Sequence, residues 1–256
     1  MNFTTDLTSK DGFTLPAYVA VPDRKPKGAV VVLQEIFGVN SHIRNVVDGF
    51  AAAGYLAVAP ATFHRIKQGV ELGYTAEDMG AGVALKTGIE GLQGPSDNAL
   101  SPLVMYDIQA AVNYAATAGK MATMDTAMVS AAAGKGSNVG VVGYCWGGLL
   151  TWRAACMLEG VAAAVPYYGG GMTVGAEATR TPKCPVMCHF GDQDKHITLP
   201  SVQAFKAAHK AAKNDVEVNI YAADHGFNCD QRGSYNAAAA ELALERTLSF
   251  FSNYLR

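Results

Sequence analysis

Cys145 sits in the run Gly143-Tyr144-Cys145-Trp146-Gly147-Gly148, directly after the apolar segment Asn138 to Val142. The pattern is G-x-S-x-G with sulfur in place of oxygen. A strand that turns sharply into a helix holds one side chain strained and exposed above the sheet, and glycines beside it keep Cβ atoms from colliding. A thiol placed there is a candidate nucleophile. Free cysteine has a pKa of about 8.5, so a thiolate at neutral pH needs help. The dipole of the following helix gives some, and a histidine gives more.

On doubly wound sheets that carry such triads, the chain order is nucleophile, acid, histidine, the last two on loops after late strands. Six histidines compete for the role of base. His42 and His209 fall in predicted helices, His189 in a predicted strand, and His196 beside the candidate acid. His225 follows a predicted strand, in the loop Ala223-Asp224-His225-Gly226-Phe227, and is the expected base; the plain alternative is a solvated surface histidine. In Phe190-Gly191-Asp192-Gln193-Asp194-Lys195-His196-Ile197, Asp194 is the expected acid, its carboxylate turned inward while Ile197 anchors the loop. Asp192 is expected to stabilise the turn. An oxyanion needs two aimed N–H donors. The backbone N–H of Trp146 is one candidate, and that of Ile36 in Leu33-Gln34-Glu35-Ile36-Phe37-Gly38-Val39-Asn40 is the other. Glu35 ends a buried apolar strand, where a carboxylate is costly unless paired. It is either part of the site or a structural ion pair or cap.

Apolar runs rich in β-branched residues alternate with helical periodicity, which predicts an α/β fold with a mainly parallel sheet and helices on both faces. Strands are expected at Leu15 to Val21, Ala29 to Leu33, Tyr55 to Ala59, the segment before Cys145, Ala162 to Tyr167, Pro185 to Phe190 and Val216 to Ala222. Helices are expected from Asn40 or Ser41 to about Ala53, from Ser101-Pro102 onward, at Leu149 to Leu158, around Ser201 to Ala212, and at Tyr235 to Tyr254. Between Phe63 and Asn98 the pattern weakens and seven glycines intervene. Thr75-Ala76-Glu77-Asp78 can cap a short helix there, but so many glycines argue against a rigid one. The stretch at about 64–100 reads as a lid-like insertion or as a plain surface excursion.

Half of the 256 residues are hydrophobic and 16% are charged, which suits one large domain around a buried sheet. A net charge of -2 offers no field for nucleic acid. No run of about 18 apolar residues and no basic-then-apolar leader appear, so the expectation is a soluble, cytoplasmic protein with no membrane partner. The cysteine count of five is odd and fits a reducing compartment. Cys184, Cys188 and His189 lack a second ligand pair and fall in a predicted strand, so no metal is expected there.

Several motifs, taken in order, resemble those of the dienelactone hydrolase (carboxymethylenebutenolidase) family of the α/β-hydrolase fold. They are Gln34-Glu35-Ile36-Phe37-Gly38-Val39-Asn40, Gly143-Tyr144-Cys145-Trp146-Gly147-Gly148, Gly191-Asp192-Gln193-Asp194, His225-Gly226-Phe227 and Glu245-Arg246-Thr247-Leu248. The resemblance covers nearly the whole chain outside the lid-like region. It implies a Cys145, His225, Asp194 triad that cleaves a small-molecule lactone or ester through an acyl-thioester, without metal or organic cofactor. It also implies that Glu35 contacts the resting cysteine and helps generate the thiolate when substrate binds.

The sequence departs from that family at the substrate end. The family arginine four residues after the histidine is Cys229 here, with Arg232 three residues later. Arg65, in Phe63-His64-Arg65, resembles the other family arginine, and both Arg65 and Arg232 are candidate substrate-binding residues. Ala61 stands where an aspartate is common, and Trp146 is bulkier than the usual aliphatic neighbour. A broader carboxylesterase or thioesterase of the same fold is the alternative activity. A non-catalytic homologue that binds small molecules is the alternative of another class. Oligomeric state is not legible.

Overall fold

Strands β3 (Ala29–Leu33), β4 (Leu56–Pro60) and β5 (Val139–Tyr144) are buried at every position. Continuous burial on both faces is what a parallel sheet covered by helices requires. The computed structural model describes residues 1–94, 102–121 and 139–255. The remaining strands are β1 (Asn2–Thr8), β2 (Thr14–Ala20), β6 (Val161–Tyr167), β7 (Val186–Gly191) and β8 (Val216–Tyr221). Together they make an eight-stranded sheet in the order β1-β2-β4-β3-β5-β6-β7-β8. The β1/β2 and β2/β4 pairs are antiparallel and the rest are parallel.

Helices cover both faces. On one, α1 (Ser41–Ala52) and α6 (Ala237–Tyr254) meet through Phe50 and Phe251, whose ring centres are 6.1 Å apart. On the other, α4 (Trp146–Met157) packs edge-to-face on α5 (Leu199–Ala211) through Trp152 and Phe205, and α3 (Val104–Met121) touches α4. The expected elements are present with ends shifted by a few residues, α4 starting at Trp146 instead of Leu149. The proposed cap Ser101 and the strand start Asn138 lie outside the described residues.

Two elements depart from the sequence expectation. Strand β1 was not expected, because most of its side chains are polar or exposed and it carries no apolar alternation. It is held by seven-residue pairing with β2 along the sheet edge. The second departure is α2 (Ala76–Gly91), a helix of 16 residues in the glycine-rich stretch. Thr75 and Asp78 form a reciprocal capping box, and Glu77 and Asp78 complement the first-turn dipole. Each interior glycine costs such a helix about 1 kcal/mol relative to alanine. Packing accounts for one of them: a Cβ on Gly82 would overlap the carbonyl oxygen of Ile36, so glycine lets the helix lie directly on that loop. Residues 95–100 of the lid-like stretch lie outside the described residues. Among the described residues no helix is long and apolar enough to cross a membrane.

Candidate active site

Three loops at the carboxyl ends of β5, β7 and β8 bring Cys145, Asp194 and His225 together. Cys145 adopts φ 55°, ψ -116°, a conformation that costs a non-glycine residue on the order of 1–3 kcal/mol. The turn is held from several sides. Its N–H donates to the carbonyl of Tyr167 at 3.1 Å, and its own carbonyl accepts from Gly148 at 3.0 Å. A Cβ on Gly147 would overlap the carbonyl oxygens of Leu33 and Gln34, so the start of α4 lies against the end of β3. That close approach brings the backbone of Trp146 and the loop carrying Ile36 to one place.

His225 Nε2 is 3.1 Å from the Cys145 sulfur, and its Nδ1 is 2.7 Å from Asp194 Oδ2. The other oxygen of Asp194 accepts the backbone N–H groups of His196 and Ile197 at 2.7 and 3.0 Å. Asp194 is buried, Ile197 seals the turn, and Asp192 is exposed. Burial pushes the Asp194 carboxyl up, but the His225 bond and charge and the two N–H groups together hold it below the usual range. For His225 burial disfavours the cation, yet the bonds and charges of Asp194 and Cys145 lift it to about 10. A positively charged imidazole between two acceptors is therefore favoured.

Glu35 is 1% exposed, two residues beyond the end of β3. Burial raises its pKa, opposed by the charges of Arg232, His42 and His225. Arg232 Nη1 lies 3.5 Å from Glu35 Oε1, while Oε2 has no hydrogen-bond partner among the described residues. Arg232 thus reaches Glu35 from the loop beyond His225, three residues after Cys229.

Ile36, Trp146, Cys145, His225 and Arg232 all line one cavity of about 450 Å³. Helix α2 forms another of its walls through Met79, Val83, Lys86 and Thr87, one face at helical spacing. Sequence reasoning missed that wall, although the Thr75 cap was the available signal. Trp146 stacks on Phe63 with ring centres 5.0 Å apart and donates its indole N–H to Glu90 on α2 at 2.7 Å. Arg153 of α4 sits 3.3 Å from the same carboxylate.

Arg65 is placed elsewhere. Its guanidinium is clamped between Asp107, at 2.7 and 2.8 Å, and Asp11, at 2.8 and 2.9 Å, and it does not line the cavity. The substrate-anion role expected for Arg65 gives way to a buried ion pair, because Asp107 on α3 is fully buried and needs a partner. His189 is a core histidine bonded to Tyr221 and Thr247, and burial lowers its pKa to about 3.

The profile of the dienelactone hydrolase family matches residues 15–255. The chain belongs to the dienelactone hydrolase family. Membership in the dienelactone hydrolases places it among hydrolases of ester bonds. It is 34% identical over 238 residues to a provisionally named carboxymethylenebutenolidase of Synechocystis sp., covering 89% of this chain and 86% of that one. To the carboxymethylenebutenolidase of Pseudomonas putida it is 31% identical over 260 residues, covering 96% and 94%. A provisionally named dienelactone hydrolase from Klebsiella pneumoniae, solved by crystallography, superposes with a TM-score of 0.72 at 28% identity, covering 99% of this chain and all of that one.

Proposed function

We propose that this dienelactone hydrolase family member cleaves a lactone or ester through an acyl-thioester on Cys145. The hydrogen-bonded line from Asp194 through His225 to the Cys145 sulfur carries the reading. The thiolate attacks the carbonyl carbon, a C–S bond forms, and the carbonyl π electrons move to oxygen. The N–H groups of Ile36 and Trp146 are the proposed oxyanion donors. Collapse breaks the C–O bond, and the leaving enolate or alkoxide takes the proton from His225 Nε2. His225 then takes a proton from water, which attacks the thioester and returns Cys145 to the thiolate. Glu35 is proposed to assist formation of the thiolate, as the family resemblance implies. Lys86, Lys195 and Arg232 line the cavity against one carboxylate, Asp224. That balance supports a substrate bearing its own carboxylate, with Arg232 among its ligands.

Incubation with an activated ester followed by intact-protein mass measurement tests the nucleophile. Wild type should gain one acyl group, and Cys145→Ala none. Equal labelling of the two, or no turnover by wild type, defeats the proposal and leaves the non-catalytic binding alternative.

A further inference from the structure

Behind the catalytic loops lie three buried side chains that the hydrolytic chemistry does not account for as a group. A carboxylate oxygen of Glu35, a ring nitrogen of His42 and the sulfur of Cys229 fall within 4.8 Å of one another. These three residues are 1%, 3% and 0% exposed. Arg232 occupies Glu35 Oε1 and Asp230 occupies His42 Nδ1 at 3.1 Å, which leaves Glu35 Oε2 and His42 Nε2 buried without a partner among the described residues. A buried polar atom left unpaired costs about 1–3 kcal/mol, so two beside one thiol mark a place built for something to bind.

We infer that Glu35, His42 and Cys229 form a binding site for a thiophilic divalent cation of the zinc type. Carboxylate, imidazole and thiolate are the three side-chain ligand classes of zinc. A tetrahedral ion holds such donor atoms about 3.3–3.8 Å apart, so side-chain rotations that close the widest gap by about 1 Å complete the set. Outer partners are in place. Asp230 fixes the His42 ring by its Nδ1, which presents Nε2 to an ion, in the carboxylate–histidine arrangement typical of metal sites. The Tyr74 hydroxyl bonds to the Cys229 thiol and is itself held by Asn40 at 3.0 Å. Binding releases the thiol proton to solvent, and the negative charges of Glu35, Cys229 and Asp230 then balance the ion together with the Arg232 cation. His42 and Asp230 also line a separate cavity of about 260 Å³ with Tyr144 and Asn228.

The inference concerns binding and shares Glu35 with the proposed function, since an ion held there would engage the carboxylate proposed to assist the Cys145 thiolate; metal titration and ester labelling read the two separately. Its test uses Cys145→Ala protein, so that the nucleophile cannot supply the sulfur. Titration with Co²⁺ should give a sulfur-to-cobalt absorption band at one equivalent, lost when Cys229→Ala is added. Competition between the protein and a chromophoric chelator for Zn²⁺ should show about 10- to 100-fold weaker binding in Asp230→Asn. Asp230 is solvent-exposed, so that variant tests the outer partner without threatening the fold. Absence of the band in the Cys145→Ala protein, its survival after Cys229→Ala, or unchanged Zn²⁺ affinity in Asp230→Asn overturns the inference.

Discussion

Asp194→Asn is the most informative single substitution. The amide can still accept the N–H groups of His196 and Ile197 through Oδ1, so the turn is kept. Its NH₂ then replaces Oδ2 opposite His225 Nδ1. A donor there forces the imidazole proton onto Nε2, the nitrogen that faces sulfur, and the ring can no longer take a proton from it. Raising His225 from 6.5 to about 10 represents about 5 kcal/mol at about 1.4 kcal/mol per pH unit. Asp194 and Cys145 share that effect, so loss of the Asp194 half predicts a fall in kcat of at least about 10²-fold, approaching 10⁴-fold from the wrong tautomer. The assay is initial-rate hydrolysis of an activated ester, with His225 titrated by NMR in parallel. Activity should collapse and the imidazole pKa should fall towards its ordinary value, while Asp192→Asn changes kcat by less than about 3-fold, as expected for an exposed carboxylate away from the chemistry. If Asp192→Asn is the more damaging variant, the assignment of the acid is wrong.

Arg65→Ala strands the fully buried Asp107 and should cost about 3–5 kcal/mol, lowering Tm by about 10 °C, with the KM for an anionic ester unchanged; a raised KM with normal Tm would restore it to the substrate site. Gly82→Ala drives a Cβ into the Ile36 carbonyl and should lower kcat about 10- to 100-fold, whereas Gly80→Ala, which meets open space, should leave kcat intact and raise stability by about 0.5–1 kcal/mol. Equal behaviour of the two glycine variants contradicts the packing argument. Glu35 has a raised folded pKa, so the folded chain holds that proton more tightly than the unfolded chain and stability drops as pH rises above 4.5. Glu35→Gln should therefore gain Tm over wild type at pH 7, lose that gain near pH 4, and hydrolyse more slowly; a Tm gain independent of pH refutes the titration argument.

Much of this was readable from residue order. Cys145 and Asp194 follow strands buried at every position, which announce themselves by composition, and His225 follows β8, where Val216, Val218 and Ile220 alternate with the polar Glu217 and Asn219. Glu35 was conspicuous because a carboxylate stands two positions beyond a run of five buried apolar residues. What escaped depends on contacts distant in sequence. Strand β1 has no apolar pattern of its own and exists through its partner β2. Helix α2 contradicts its local glycine propensity because the Ile36 loop leaves no room for a side chain at position 82. Arg65 matched a family pattern in one dimension, but Asp11 and Asp107, from the start of the chain and from α3, claim its guanidinium.

Trp146 joins the turn of Cys145 to the cavity wall, through its stack on Phe63 and its bond to Glu90. Since the chain contains two tryptophans, Trp146 and Trp152, a Trp152→Phe protein would emit from the first alone. An indole bonded to a carboxylate and pressed on another ring changes its emission when either contact loosens. The residue beside the Cys145 sulfur is thus also an optical reporter, built into the chain, of how closely α2 stays against the site while substrate comes and goes.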